Sequence, residues 1–62
     1  MCLSDAYEVK NGAETLVCER VTNVEIEGEN VRLTNLLGTT KLIPGTLKSI
    51  DLNKNIIKID AQ

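Results

Sequence analysis

The sequence predicts an all-β protein, a small antiparallel barrel of six or seven short strands, from three observations. Apolar and polar residues alternate at a period of two through most of the chain, and no helical period appears. Turn-forming clusters recur at intervals of about seven to ten residues. The apolar side chains are mostly branched aliphatics, with Tyr7 the only aromatic, a composition suited to pleated surfaces. At 62 residues the chain reads as one domain, 1–62, too short for two full sheets. One strongly bent sheet that closes on itself is therefore expected, and closure also removes exposed edges. A chain of this size hides only about 60% of the surface its unfolded form exposes. Surplus apolar surface should remain, and self-association would cover it.

The first strand is expected from about Leu3 to Val9, ending at Asn11-Gly12, a pair that supplies the positive φ angles of a tight hairpin. A second should run from Glu14 to about Arg20, with Leu16 and Cys18 on one face and Thr15, Val17 and Glu19 on the other. Thr22 to Glu27 alternates cleanly and turns at Gly28-Glu29-Asn30. The chain then returns from Asn30 to Thr34 with Val31 and Leu33 inward. Glu25 or Glu27 would face Arg32 across that hairpin, a pairing of opposite charges worth a few tenths of a kcal/mol. Asn35-Leu36-Leu37-Gly38 breaks the alternation as a turn. Thr39 to Ile43 is a short strand that Pro44-Gly45 should stop, because proline cannot donate to a ladder. Thr46 to Leu52 follows with Ile50 and Leu52 on one face, Asn53-Lys54-Asn55 turns, and Ile56 to Ala61 closes the chain with Ile57 and Ile59 inward.

Charge and composition narrow the function. The net charge is −2 and the seven basic residues are scattered, whereas nucleic-acid modules carry a clustered basic face, often with stacking aromatics. Nucleic acid is not an expected partner. No stretch approaches the roughly 20 apolar residues of a membrane span, and Met1 to Asp5 lacks the cationic start and apolar run of a secretory leader. A cytoplasmic protein with two free thiols, Cys2 and Cys18, is expected. With no histidine in the chain, Ser-His-Asp and Cys-His catalysis are excluded. The four glycines stand singly in turns, so no phosphate loop can form. The reading is a protein that is not an enzyme.

The chemistry left is at the amino terminus. Two cysteines without histidine fall short of the usual four-ligand zinc set. Any metal must recruit the α-amine, backbone amides or a second subunit. The Cys2 thiolate and the amide nitrogen before it close a five-membered chelate, and the amine of Met1 adds another ring. Such a nearly planar set suits Ni(II) or Cu(II) rather than Zn(II). Were Met1 removed, the amine and thiolate of Cys2 would remain a bidentate pair, completed by a second chain. The alternative for Cys2 is a small apolar residue that starts a strand. Cys18, on a strand between Leu16 and Arg20, reads as a buried thiol.

The opening Met1-Cys2-Leu3-Ser4-Asp5-Ala6-Tyr7, the segment Val31-Arg32-Leu33-Thr34-Asn35-Leu36-Leu37-Gly38 and the closing Ile57-Lys58-Ile59 resemble the CooT family of small nickel-binding proteins over nearly the whole length. That resemblance implies an SH3-like barrel and a homodimer. It also implies Ni(II) held at the subunit interface, with Cys2 the principal ligand and Met1 a nitrogen donor. The function implied is that of a metallochaperone that aids nickel delivery to carbon monoxide dehydrogenase or another nickel enzyme. Cys18 departs from the family pattern. A metal-free barrel that binds RNA or protein as an adaptor is the second reading.

Overall fold

A computed structural model describes residues 3–61. Five strands, β1 (Ser4–Lys10), β2 (Ala13–Glu27), β3 (Asn30–Asn35), β4 (Thr40–Asp51) and β5 (Ile56–Ala61), form a closed SH3-like barrel in chain order. No helix occurs among the described residues. Each strand pairs antiparallel with the next, and β1 meets β5 in parallel, with Asp5 opposite Ile56 and Val9 opposite Asp60. An odd number of strands laid up and down leaves the first and last pointing the same way, so this closure is parallel by necessity.

Alternation decides the core. Val31, Leu33 and Ile59 are fully buried, and Ala6, Cys18, Val21, Ile43 and Ile57 pack around them, with Val17, Val24 and Leu47 half-covered against the cluster. The expected turns hold. Asn11 and Gly12 carry φ of 52° and 81°, the left-handed pair of a two-residue hairpin. At the β3–β4 turn, the Asn35 side-chain carbonyl accepts from the Leu37 and Thr39 amides at 3.0 and 2.9 Å. Glu25 lies opposite Arg32 as anticipated, while the ion pair itself joins Arg32 to Glu27 at 2.9 Å. Half-exposed at both ends, it is worth a few tenths of a kcal/mol.

The strand count differs from the six or seven expected, because two pairs of anticipated strands are each one continuous, bent strand. β2 pairs with β1 through Ala13–Val21 and with β3 through Val21–Glu27. Val21 is the corner, facing Ser4 on one side and Asn35 on the other. β4 likewise changes partner at Pro44-Gly45. Pro44 is the last residue matched to β3 and Gly45 the first matched to β5, so the missing proline N–H falls where the ladder is handed over.

The faces of β2 also differ from strict alternation. Between the pairs Ala6–Cys18 and Tyr7–Leu16, β2 carries one extra residue, Val17. Such a bulge resets which side chains point inward. Cys18 therefore sits in the core beside Ala6, while Leu16 lies on the outer face next to Tyr7 and is 44% exposed. Leu52, expected on a strand face with Ile50, lies beyond the end of β4 in the following turn and is 79% exposed.

Candidate metal centre

Met1 and Cys2, the residues to which the sequence assigns metal binding, lie outside the described residues. Leu3, the first described residue, is half-buried, and the backbone is pinned immediately after it. Ser4 pairs with Val21 at the β2 corner. Asp5 donates its amide to the Asn55 carbonyl at 3.0 Å and accepts from the Arg20 amide at 3.4 Å. β1 leaves its first residue against the one point of β2 that touches two strands, so the chain entering the barrel at Ser4 has a fixed starting point.

The donor chemistry elsewhere is sparse. No group of three or more histidine, cysteine, aspartate or glutamate side chains that could hold a metal occurs among the described residues. Cys18 is in the core, 7% exposed, and its thiol points at the Glu19 carbonyl 3.9 Å away. A buried thiol packed among aliphatics behaves as a small hydrophobe, which agrees with the sequence reading. Three further carboxylates are each engaged with partners of their own. Glu27 binds Arg32 and Glu14 binds Lys58, each at 2.9 Å. Asp51 accepts from the Asn53 and Lys54 amides at 2.9 and 3.0 Å. Those bonds, the Lys54 amide foremost, hold its carboxyl below the ordinary value of 3.8; the group orders the β4–β5 turn. The described residues thus offer no such cluster of donors, and the thiol, amine and amide that the sequence reading assigns to Met1 and Cys2 would suit a planar-preferring ion such as Ni(II) or Cu(II).

Sequence reasoning missed a second feature. A groove of about 270 Å³ lies between the first half of β2 and the β3–β4 turn. It is lined by the Leu16–Arg20 stretch of β2, by Asn35, Leu36 and Leu37, and by Lys41. Lys41 donates from Nζ to the Val17 carbonyl at 2.7 Å, and the Leu36 amide donates to the Arg20 carbonyl at 2.9 Å. The only sequence signal was the pair Leu36-Leu37, apolar residues inside a turn.

A small five-stranded closed barrel with its first strand anchored at a corner defines the class; the family is more specific. The family described as CO dehydrogenase accessory protein CooT matches residues 1–60, and the chain belongs to that family. Its members are accessory proteins of carbon monoxide dehydrogenase. Among solved structures, the chain is similar to the crystal structure assigned as CooT from Carboxydothermus hydrogenoformans, with a TM-score of 0.88 and 28% identity, covering 98% of each chain. No curated protein matches.

Proposed function

We propose that this chain is a nickel-carrying accessory protein of the cytoplasm, not itself an enzyme, which works as a homodimer and passes Ni(II) to carbon monoxide dehydrogenase or a related nickel enzyme. Nickel is its cargo. The Cys2 thiolate is the principal donor and Met1 supplies nitrogen, with two chains sharing one ion. The observation that carries this reading is family membership over residues 1–60, joined to a barrel with no alternative donor cluster among its described residues. One chain offers two or three donors at its terminus, and four-coordination of Ni(II) asks for a second copy.

Titration of the purified protein with Ni(II), followed by the thiolate-to-nickel absorption band, tests it. Saturation at one ion per two chains is expected, with the band lost in Cys2→Ser and kept in Cys18→Ser. The opposite pattern would assign the metal to the core thiol and sink the proposal. Copper(II) should displace nickel in vitro, so selection of nickel rests on supply and on the recipient enzyme.

A further inference from the structure

Bending β2 leaves part of its edge uncovered. β3 pairs with β2 only from Val21 onward, so the side of Ala13–Arg20 that faces away from β1 has no strand beside it. The two-residue hairpin makes Lys10–Ala13 a hydrogen-bonded pair, and Glu8–Thr15 the next one. The amides and carbonyls of Glu14 and Leu16 therefore point outward, about 7 Å apart. Lower on the same edge, Lys41 caps the Val17 carbonyl and Leu36 caps that of Arg20. Nothing among the described residues caps Glu14 or Leu16 in this way. Proteins usually blunt such an edge.

The same stretch of β2 lines the groove, together with Leu36 and Leu37, which are 56% and 82% exposed. Its charge runs against that of the chain. Arg20 and Lys41 face a single carboxylate, Glu19, in a protein whose net charge is −2. The Arg20 guanidinium has no ion-pair partner among the described residues.

We propose that the Glu14–Leu16 edge and the groove beside it take an extended, apolar and acidic segment of a partner protein by strand addition. The backbone of the segment would pair with Glu14 and Leu16, alternate apolar side chains would enter the groove against Leu16 and Leu37, and a carboxylate would meet Arg20. Main-chain pairing gives affinity in this mode and side-chain pockets give selectivity. The lining includes neither Met1 nor Cys2, but its foot at Arg20 adjoins the start of β1 through the Arg20 amide and Asp5, so the test uses metal-free protein and watches for a second copy.

The test is amide-resolved NMR of the metal-free protein titrated with the blocked peptide Ac-Thr-Leu-Thr-Val-Thr-Glu-NH2, whose Leu, Val and Glu share one strand face, and with its counterpart carrying Lys for Glu. Shifts centred on Glu14, Leu16 and Leu37 are expected, with the lysine peptide at least tenfold weaker. Arg20→Asn and Leu37→Ser, both at exposed positions, should each weaken the acidic peptide fivefold or more while leaving the spectrum folded. Equal affinity for the two peptides, shifts centred elsewhere, or no binding at millimolar peptide would overturn the proposal. So would shifts of the same amides on diluting the protein alone, because a second copy would then be the occupant.

Discussion

β2 and β4 solve the same problem in different ways. Each must leave one partner strand and join another at a corner, and each does so within a single strand. β4 changes partner at one tight residue, with a single register shift further along between Leu47 and Ser49. Gly45 has φ of +147°, and a Cβ there would overlap the Asp60 carbonyl oxygen while standing 3.1 Å from the Asp60 carbonyl carbon and Ala61 Cα. β2 spreads its bend over register shifts between Cys18 and Leu16, between Val21 and Cys18, and between Val21 and Asn23, with no glycine among them. Its one residue in the left-handed region is Arg20, at φ 52°. A corner made by close backbone approach has no slack. A corner made of inserted residues has room to adjust, because each bulge takes up part of the twist.

The largest expected effect is at the tight corner. Gly45→Ala combines a backbone angle that L residues rarely adopt with overlap against the main chain of β5, for a loss of about 3 kcal/mol or more. At about 0.05–0.15 kcal/mol per residue a chain of this length holds roughly 3–9 kcal/mol, so the variant should lose a third or more of its stability, read as a large fall in the urea midpoint by circular dichroism. Retention of wild-type stability would show that β4 can turn elsewhere.

At the β2 corner the buried side chain matters more than the backbone. Val21→Ala, 6% exposed in the wild type, should lower the urea-derived stability by about 2 kcal/mol with an unchanged slope. Arg20→Gly should have a smaller effect. Relief of the left-handed angle, roughly 1–2 kcal/mol, is offset by about 0.5–1 kcal/mol of added freedom in the unfolded chain. The urea midpoint should therefore stay level or rise slightly. A fall as large as that of Gly45→Ala would mean the two corners are equally rigid and would break the comparison.

The smallest effect concerns the end of β4. The Asp51 carboxyl is held below 3.8 chiefly by the Lys54 amide, with the Asn53 amide also contributing. A depressed carboxylate pKa gives stability that is fully present above the unfolded value and is lost as the pH falls through the folded one. Asp51→Asn keeps the turn acceptor and removes that proton linkage. Urea midpoints at about pH 6 and about pH 3 should consequently differ less in the variant than in the wild type. An unchanged difference would place the acid sensitivity on other carboxylates.

Much of this molecule was legible in local pattern. Asn11-Gly12 specified its hairpin, the Val31–Leu33 alternation specified the buried face of β3, and Ile57 and Ile59 specified that of β5. Period-two reading failed at Val17, where one inserted residue turned Leu16 outward and left Cys18 in the core. It failed again at Pro44-Gly45, where stop signals marked a change of partner inside a continuing strand. The Met1-Cys2 donor set could be proposed from composition alone, because a chain without histidine has few other ligands to offer.

The sequence by itself determined the all-β class, the turns and most of the core, because each depends on neighbouring residues and their alternation. Tertiary structure alone decided that there are five strands, that β1 closes on β5, and that an apolar, locally basic groove lies beside an uncovered stretch of β2. Those features depend on which distant backbone each half of a bent strand meets, and no local pattern encodes that choice.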